Sequence, residues 1–308
     1  MGIRVNASAI APAVNTSRTV VVTGVATGIG YATAQRLTSE GVTVFGSVRR
    51  AEDAERLQRE LGSHFTPLLF DVTDQAAIAR AVDVVSTHLQ GRTLMGLVNN
   101  SGIGIGGPLA LQPIEEIRQI FDVNILGLFA VTQAFLPLLG MDPAMQGAPG
   151  RIINMSSVGG KLGGPFLGAY VGTKHALEGM SESLRRELMG CGIDVILIGP
   201  GAIATPIWDK AEAAGDARYA SSIFAEPLRR FAKNAVERGR AGLPAARVAD
   251  LIWTALSTAS PKVRYAIVPQ PFMNWIVPRL LPRRLIDRLI AKRLGIGARS
   301  APVPVRRP

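Results

Sequence analysis

A tyrosine and a lysine stand four residues apart in the segment AYVGTKHAL, residues 169–177. On a helix, side chains at this spacing are neighbours, so the phenol of Tyr170 and the ammonium group of Lys174 would share one face. A phenol has a pKa of about 10, and a nearby ammonium ion favours its ionised form, which brings proton exchange closer to neutral pH. Such a pair also occurs on solvated helices that have no function. Its chemistry therefore depends on what the rest of the chain places beside it.

A glycine-rich turn lies near the start of the chain, in TGVATGIG at residues 23–30. Gly24, Gly28 and Gly30 follow an apolar segment and precede a helical one, where a dinucleotide-binding fold needs a tight turn and close approach of a pyrophosphate. The spacing G-x3-G-x-G differs from the common G-x-G-x-x-G pattern, and glycines between a strand and a helix can form a turn that binds nothing. Their position directly after the first strand favours nucleotide binding.

Residues about 20 positions further on, where the second strand ends, determine whether such a fold binds NAD or NADP. An acidic residue there would bind the ribose hydroxyls of NAD, whereas this chain has Ser47, Val48, Arg49 and Arg50. Guanidinium groups match the geometry of a phosphate, so Arg49 predicts NADP, with NAD as the weaker candidate. The alternative is that both arginines only solvate the start of a helix.

The elements that must position these groups alternate along the chain. Apolar strands are predicted at 19–22, 42–48, 65–70, 94–98, 151–155, 193–198 and 263–268, and helices at 31–41, 51–61, 74–89, 114–139, about 169–189 and 244–256. Strands that are apolar throughout indicate a parallel sheet covered on both faces. The sequence predicts an α/β fold with one doubly wound Rossmann-type domain of about seven strands over residues 18–270, and an irregular insert at 206–243 that covers the substrate.

Composition excludes several classes of protein. A single cysteine, Cys191, excludes a disulfide framework and suits a reducing compartment. Residues 1–17 hold no apolar run long enough for a signal peptide or a membrane span, so we expect a loose leader and a cytoplasmic protein. The three histidines, His64, His88 and His175, lack the spacing of metal ligands, and we expect no metal.

The net charge of +11 is concentrated in the tail. Residues 279–308 hold nine arginine and lysine residues against one aspartate, a net charge of +8, which leaves +3 for the first 278 residues. No aromatic residues are interleaved with these arginines as a surface for stacking bases would require, so we expect no nucleic acid. Residues 271–308 are therefore predicted to be a basic amphipathic extension.

One helix of this extension is predicted between Pro282 and Gly295, because proline can begin a helix and glycine can end one. Its apolar stripe is Leu285, Ile286, Leu289, Ile290 and Leu294, and an apolar approach precedes it at Phe272, Trp275, Ile276 and Val277. The stripe either packs on the domain or on a second subunit, or it lies in an anionic membrane surface through residues 272–295. A helix of about 13 residues is too short to span a bilayer.

Seven motifs occur in an order that is typical of one family. They are TGVATGIG (23–30), FDV (70–72), NNSG (99–102), FDVNILG (121–127), NMSS (154–157), YVGTK (170–174) and GPGAIAT (199–205). With them, residues 19 to about 268 resemble the short-chain dehydrogenase/reductase family, from which NNSG departs slightly because the family usually has NNAG. The segment SVGG (157–160), the Val-Arg-Arg strand end and the extended C-terminus most resemble the steroid- and retinol-dehydrogenase branch.

The resemblance implies catalytic roles. In this family the tyrosine, here Tyr170, exchanges a proton with the carbonyl or alcohol oxygen while hydride passes to or from nicotinamide. Lys174 would assist the phenol and hydrogen-bond the nicotinamide ribose, and we expect no acid beside it because an acid would neutralise its effect. Ser157, thirteen residues before Tyr170, would hydrogen-bond the substrate oxygen, with Ser156 as the competing assignment. Asn124 would hold a water linked to Lys174, and it could also pin a helix kink.

The resemblance also implies a cofactor site. Asp71 would meet the adenine edge, Asn99 would lie along the cofactor, and Thr27 would assist the 2′-phosphate. The segment Gly199–Gly201 would turn beneath nicotinamide, and Thr205 would reach the carboxamide or the diphosphate. The full set implied to bind the cofactor is Gly24, Thr27, Gly28, Ile29, Gly30, Arg49, Asp71, Val72, Asn99, Tyr170, Lys174, Pro200, Gly201, Ile203 and Thr205.

These implications predict an NADP(H)-dependent oxidoreductase that interconverts a bulky apolar secondary alcohol and a ketone, such as a steroid or retinoid. Apolar residues near Tyr170 and in the insert could form the pocket: Leu162, Pro165, Phe166, Ile207, Trp208, Tyr219, Ile223, Phe224, Leu228 and Phe231. The same residues could instead only pack the insert on the domain. An acyl- or sugar-type carbonyl reductase and a non-catalytic nucleotide-sensing partner protein are the alternatives. Members of the family are commonly dimers or tetramers, so we expect a homo-oligomer.

Overall fold

Short segments rich in β-branched residues form a parallel sheet in the computed structural model, which describes residues 18–214 and 217–297. The strands are β1 Thr19–Val22, β2 Thr43–Val48, β3 Phe65–Leu69, β4 Gly96–Asn99, β5 Arg151–Met155, β6 Asp194–Pro200, β7 Ile203–Ala204, β8 Leu243–Pro244 and β9 Arg264–Ile267. Strands β7 and β8 pair with each other, and the other seven form one sheet in the order β3-β2-β1-β4-β5-β6-β9. This confirms the predicted α/β fold with seven parallel strands. The predicted leader at 1–17 lies outside the described residues.

Helices cover both faces of this sheet. They are α1 Gly28–Ser39, α2 Ala51–Leu61, α3 Gln75–Leu89, α4 Ile114–Phe121, α5 Leu128–Phe135, α6 Gly168–Glu187, α7 Ile207–Ala214, α8 Ala225–Arg240, α9 Ala245–Ser257, α10 Val277–Leu280 and α11 Arg283–Leu294. Successive strand residues point to opposite faces, so Val21 joins the core beneath α3 and α5, whereas Val20 and Val22 join the core beneath α1 and α9.

The strand order changes direction between β1 and β4, which are neighbours in the sheet although two strands separate them in sequence. In open parallel sheets, ligands bind in the crevice at such a switch point, outside the carboxyl ends of the strands. The glycine turn follows β1 and the NNSG segment follows β4. Topology therefore brings these two motifs together.

The prediction of one continuous helix at 114–139 is wrong in detail. A wider π-helical segment at Asp122–Gly127 separates α4 from α5, and a 3-10 turn follows at Pro137–Leu139. The wide turn contains Asn124, whose side chain hydrogen-bonds the backbone of a neighbouring loop. Such π-bulges are rare within helices and occur frequently at functional sites.

The prediction that the insert at 206–243 is irregular is also wrong, because it contains α7 and α8, and β7 and β8 close its base. Phe224, Leu228 and Phe231 recur at helical spacing and pack with Phe166 in a separate apolar cluster. Residues 206–243 are called the lid below. The last residue of α11, Leu294, is buried in the same cluster.

Candidate active site

The glycine turn after β1 is a cradle with no room for side chains. Gly24 and Gly28 have φ angles of +69° and +63°, which favour glycine, and a Cβ atom on Gly30 would lie 2.1 Å from the Gly24 carbonyl oxygen. Two neighbours hold the turn in place. The Asn100 amide donates to the Gly24 carbonyl oxygen at 3.0 Å, and the Ser47 hydroxyl accepts from the Gly24 N–H at 2.9 Å.

The residues around this cradle suit a pyrophosphate. Helix α1 begins directly after Thr27, whose exposed side chain makes no capping hydrogen bond. The first N–H groups of a helix lack partners within the helix and carry partial positive charge. Thr205 lies across from this terminus, with its Cγ2 3.4 Å from the point where a Cβ atom on Gly28 would stand. The chain's own residues therefore fit a dinucleotide at this position.

Other residues predicted to bind the cofactor follow the same edge of the sheet. Pro200 ends β6, and the Gly201 N–H donates to the Ile267 carbonyl oxygen at 2.8 Å. A Cβ atom on Gly201 would lie 2.8 Å from Val268. Three predicted residues contribute side chains mainly to the core, so that only their backbone is available at the turn: Ile29, Val72 and Ile203.

The two arginines after β2 have different surroundings. Arg49 has a side chain that is 73% exposed, with its Nη1 3.8 Å from Asp71 Oδ2. Arg50 instead turns back to its own helix, where its Nε donates to Asp53 at 2.9 Å. Asp71 is fixed by the backbone N–H and the hydroxyl of Thr73, at 3.0 and 2.8 Å. Arg49 is therefore the guanidinium that remains beside the predicted adenosine end.

Asn99 does not reach the cradle. Its side chain is buried and donates to Thr132 Oγ1 at 2.8 Å and to Asn154 Oδ1 at 2.9 Å, inside the layer between β4, β5 and α5. The Asn99 side chain is thus used within the sheet layer, and a contact of this residue with the cofactor stays a prediction. Its neighbour Asn100, which sequence reasoning missed, holds the turn instead because adjacent residues at a strand end point in opposite directions.

The two candidate serines, which follow β5, have different hydrogen-bond partners. Ser157 has extended backbone, and its hydroxyl accepts from the Gly159 N–H at 3.0 Å, which caps the 3-10 turn at Val158–Gly160. Ser156 is buried and donates to Glu178 Oε1 at 2.6 Å, away from Tyr170. A Cβ atom on Gly159 would lie 3.4 Å from Ser157 Oγ and 3.7 Å from Tyr170 Cε1, so these two side chains adjoin each other and the geometry favours Ser157 over Ser156.

Helix α6 carries Tyr170 and Lys174 in its first two turns. Lys174 is buried, donates to the Met155 carbonyl oxygen at 2.8 Å and lies 5.6 Å from the centre of the Tyr170 ring. Burial lowers the pKa of Lys174 to about 8, against a weaker opposite effect of Glu178. Burial raises the pKa of Tyr170, and the interaction with Ser157 offsets this only in part. The expected lowering of the phenol's pKa is thus not present in the chain alone, because loss of water dominates.

The expectation that no acid lies beside Lys174 needs a correction as well. Glu178 follows one helical turn later, and its carboxylate is held by Arg264 at 2.9 Å and by Lys161 at 3.3 Å. It therefore does not form an ion pair with Lys174 in the structure. The spacing of four residues between Lys174 and Glu178 was the sequence signal that could have revealed this acid.

Asn124 is fully buried and positions a loop, and a Cβ atom on Gly102 of this loop would lie 3.2 Å from Asn124 Oδ1 and 3.9 Å from Lys174 Nζ. Its amide oxygen accepts from the Ile103 N–H at 2.8 Å, and its amide nitrogen donates to the Ile103 carbonyl oxygen at 2.9 Å and to Thr173 at 3.1 Å. This loop passes close to the catalytic candidates, because a Cβ atom on Gly104 would lie 3.4 Å from Tyr170. Across residues 18–214 and 217–297, no group of three His, Cys, Asp or Glu side chains is arranged for a metal ion.

Comparisons with known proteins agree with this geometry. The family model described as short chain dehydrogenase matches residues 18–215. An NADPH-dependent 3-dehydrocapnine reductase from Ornithobacterium rhinotracheale is 38% identical over 277 residues, which cover 90% of this chain and 97% of that protein. Human retinol dehydrogenase 5 is 30% identical over 285 residues, which cover 88% of this chain and 87% of that protein. The crystal structure of a short-chain dehydrogenase from Streptomyces avermitilis matches with a TM-score of 0.69 and 26% identity, over 93% of this chain and 100% of that one.

Proposed function

This chain belongs to the short-chain dehydrogenase/reductase family of oxidoreductases, which act on alcohols and carbonyl compounds, and we propose that it is an NADP(H)-dependent enzyme for a bulky apolar substrate. The observation that carries the proposal is the meeting of Ser157, Tyr170 and Lys174 at the carboxyl end of β5. This place adjoins the crevice where the glycine cradle fits a dinucleotide. If the Tyr170–Lys174 pair lay on a solvated helix without a function, Lys174 would be exposed, whereas it is buried.

The side chains divide the reduction of a ketone between them. When bound, a reduced nicotinamide supplies the hydride that adds to the carbonyl carbon. Ser157 donates a hydrogen bond to the carbonyl oxygen, and Tyr170 transfers its phenolic proton to the same oxygen as the C=O π bond breaks, which leaves an alcohol and a phenolate. Because burial raises the pKa of Tyr170, the phenol is protonated at neutral pH and is ready to donate. The nearby Lys174 stabilises the phenolate that forms.

Two observations support NADP over NAD. The end of β2 presents the exposed guanidinium of Arg49, and no acid occupies residues 47–50. A phosphate on the adenosine ribose would meet this positive charge, whereas NAD has no group that uses it. The relative from Ornithobacterium rhinotracheale is described as NADPH-dependent.

The lid supports an apolar substrate. Phe166, four residues before Tyr170, contacts Phe224 and Phe231 of the lid with ring centres 6.3 and 5.7 Å apart. Pockets lined by aromatic and aliphatic side chains with a few polar groups are typical of sites for small apolar molecules. Related proteins carry names that refer to 3-dehydrocapnine and to retinol. We therefore place a lipid-like ketone or secondary alcohol first.

The test is an NADPH-oxidation assay over a defined panel: 3-dehydrocapnine, retinal, a steroid ketone, a 3-oxoacyl thioester and a ketose. We expect turnover of at least one of the first three, and faster turnover with NADPH than with NADH. Turnover of the thioester or the ketose alone would show that the substrate class is wrong. Tight binding of NADPH without turnover of any carbonyl, in either direction, would favour a nucleotide-sensing protein.

We also propose that the extension attaches the enzyme to an anionic membrane surface. Part of the predicted stripe packs on the lid, since Ile290 and Leu294 join the apolar cluster. Leu285 and Leu289 of the stripe are exposed, and further exposed apolar residues precede them in the extension: Phe272, Met273, Ile276 and Leu280. Arginines flank these residues at 279, 283, 284 and 288, and such a mixture suits headgroups of negative charge. Among the described residues, no helix is long and apolar enough to cross a bilayer.

Sedimentation with vesicles tests this attachment. We expect the full chain to sediment with vesicles that contain phosphatidylserine and to be released from them by salt. It should not sediment with neutral phosphatidylcholine vesicles. The double variant Leu285→Glu and Leu289→Glu should abolish sedimentation, because it places charge on the exposed half of the stripe. Retention of the wild-type chain in the supernatant with both vesicle types would contradict attachment.

Finally, we propose a homo-oligomer. The supporting observation is the exposure of two apolar residues, Leu126 in the π-helical segment between α4 and α5, and Met180 in α6. Light scattering should give a mass of two or four chains, and Leu126→Glu should reduce it. A monomer at micromolar concentration would contradict the proposal.

A further inference from the structure

The guanidinium of Arg264, at the start of β9, lies directly behind the candidate active site. Its Nε donates to both carboxylate oxygens of Glu178, at 2.9 and 3.0 Å, and its Nη2 lies 3.4 Å from the Ser157 carbonyl oxygen. A Cβ atom on Gly199 would lie 2.6 Å from Nη2, so the absence of a side chain there lets the guanidinium enter. Arg264 thus connects the end of β5, the end of β6 and helix α6.

Glu178 is the centre of this group. Its side chain is only 3% exposed, and it also accepts from the Ser156 hydroxyl at 2.6 Å and pairs with Lys161 at 3.3 Å. A Cβ atom on Gly160 would lie 2.9 Å from Glu178 Cγ, so the turn after Ser157 packs directly on this side chain. A buried carboxylate with this many donors has one defined position.

That position matters for Lys174, which precedes Glu178 by one helical turn. Lysine and glutamate at this spacing pair readily on a helix, yet the structure has no ion pair between these two. Lys174 instead donates to the Met155 carbonyl oxygen. The carboxylate is directed away from Lys174 by its bonds to Arg264, Lys161 and Ser156.

The outer face of Arg264 is covered by the C-terminal extension. The Arg264 guanidinium carbon lies 4.7 Å from the centre of the Trp275 ring, and Arg279 lies at the same distance from that ring. A guanidinium that stacks on an aromatic face is held in one plane. The Arg264 side chain is accordingly only 17% exposed.

We infer that Arg264 is a positioning residue for the reaction: it fixes the turn that carries Ser157 and keeps Glu178 away from Lys174, while Trp275 of the extension holds the guanidinium in place. The inference rests on the proposed function, since it assigns Ser157 and Lys174 to catalysis. It also gives the first part of the extension a role that is separate from attachment to a membrane.

Arg264→Lys is the main test, because lysine retains the charge that Glu178 requires but cannot bridge Glu178 and the Ser157 carbonyl oxygen as a fork does. Arg151→Lys is a matched control. Arg151 stands at the opposite end of β5, has an 18% exposed side chain, pairs with Asp194 and donates to the carbonyl oxygens of Ala255 and Leu256 in α9. Both variants should remain folded, as judged by circular dichroism and by retained binding of NADPH.

The first readout is hydrogen exchange, which needs no substrate. The amides of Ser156, Gly159 and Gly160 donate to Ile198 or to Ser157 and report on the turn. In Arg264→Lys we expect their exchange to accelerate by about tenfold or more, the effect of losing one charge-assisted hydrogen bond. Arg151→Lys should leave these amides unchanged. Equal exchange in Arg264→Lys and the wild-type chain would overturn the inference even if the enzyme turns over no carbonyl of the panel.

The second readout is kinetic. With the best carbonyl of the panel, Arg264→Lys should lower kcat by about tenfold to a hundredfold while KM and the Kd for NADPH change little, because the reacting groups are displaced but the substrate contacts remain. In single turnovers of the Ser157→Ala enzyme, Arg264→Lys should cause a smaller loss than it does in the wild-type enzyme, because only its effect through Glu178 and Lys174 remains. A fully additive loss, or a wild-type kcat in Arg264→Lys, would contradict positioning of Ser157.

Trp275 provides a variant that leaves the buried ion pair intact. Trp275→Ala should lower kcat in the same direction as Arg264→Lys, and Trp275→Phe should restore most of it because a ring still covers Arg264. These measurements are made without vesicles, so they do not depend on attachment to a membrane. A wild-type kcat in Trp275→Ala would contradict the inference that Trp275 of the extension holds the Arg264 guanidinium in place.

Discussion

The carboxyl edge of the sheet and the lid with its extension are built in different ways. At the edge, the buried polar side chains of Asn124, Lys174 and Glu178 each have hydrogen-bond or ion-pair partners within the chain. The lid has exposed ion pairs between α7 and α8, but its buried contacts with Phe166 are an apolar cluster. Within that cluster the Tyr219 hydroxyl has no hydrogen-bond partner among the described residues, as is also true of Asn99 Oδ1 at the edge. Hydrogen bonds fix direction, whereas apolar contacts mainly fix proximity. We therefore expect changes at the edge to act on kcat and changes in the lid to act on KM and stability.

The largest effect is expected at the edge, for Tyr170→Phe. The change removes only the hydroxyl that transfers the proton, so kcat should fall by about 10²- to 10⁴-fold while the Tm and the Kd for NADPH stay close to the wild type. Steady-state NADPH oxidation and fluorescence titration would measure this. Retention of more than about a tenth of the wild-type kcat would show that another group donates the proton.

Lys174→Met separates function from stability at the same edge. The folded chain holds the pKa of Lys174 at about 8, below its ordinary value of 10.5. Between these two values the unfolded chain binds the proton more tightly, so this group's contribution to the free energy of unfolding rises with pH across that window. At pH 7 the protonated group destabilises the fold, and Lys174→Met should therefore be more stable by about 1–3 kcal/mol, although it is inactive.

Urea unfolding at pH 7 and at pH 9.5 would measure this gain, which should be smaller at the higher pH. Lys233→Met is a suitable control, because that side chain is 77% exposed and its substitution should show no such dependence on pH. An equal gain at both pH values would show that improved packing, not the buried charge, is responsible.

Arg49→Ala tests the adenosine end of the same crevice. A charge-assisted contact contributes roughly 1.5–3 kcal/mol, so kcat/KM for NADPH should fall about tenfold or more while kcat/KM for NADH is nearly unchanged. Arg50→Ala is the matched control, since Arg50 is equally exposed but is directed to Asp53 of α2. An equal fall in kcat/KM with both cofactors, or a wild-type preference for NADH, would contradict the assignment of NADP.

The same contrast between edge and lid explains what the sequence could predict. The strands, the glycine turn and the Tyr170–Lys174 pair carry local signals, because apolar runs, positive φ angles and helical spacing are properties of a few adjacent residues. The role of Asn100 was missed because adjacent residues at a strand end face opposite sides, and the motif alone does not say whether Asn99 or Asn100 faces the glycine turn. Arg264 carried no signal, since its partners are 86 and 107 residues away.

The lid was misjudged for a different reason. Phe224, Leu228 and Phe231 have helical spacing, in a segment that also contains Pro227 and many charged residues. Proline is tolerated in the first turn of a helix, where its missing N–H has no partner to lose. The stabilising contacts come from Phe166 and Leu294, which are distant in sequence and cannot be read from the segment itself.

The smallest effect is expected in the lid, for Tyr219→Phe. The Tyr219 hydroxyl is buried beside Gly107, and burial raises its pKa, so it is a neutral group removed from water without a hydrogen bond in the described chain. An unsatisfied buried hydroxyl costs about 1 kcal/mol or more, so its removal should stabilise the protein by about that amount. The ring remains against Arg218 and the apolar cluster, and kcat should not change. Urea unfolding and steady-state kinetics with the best carbonyl of the panel measure both quantities. If Tyr219→Phe instead raised KM by tenfold without any gain in stability, the hydroxyl would bind a polar group of the substrate. The lid would then fix direction as the edge does, and the contrast between the two regions would be one of degree.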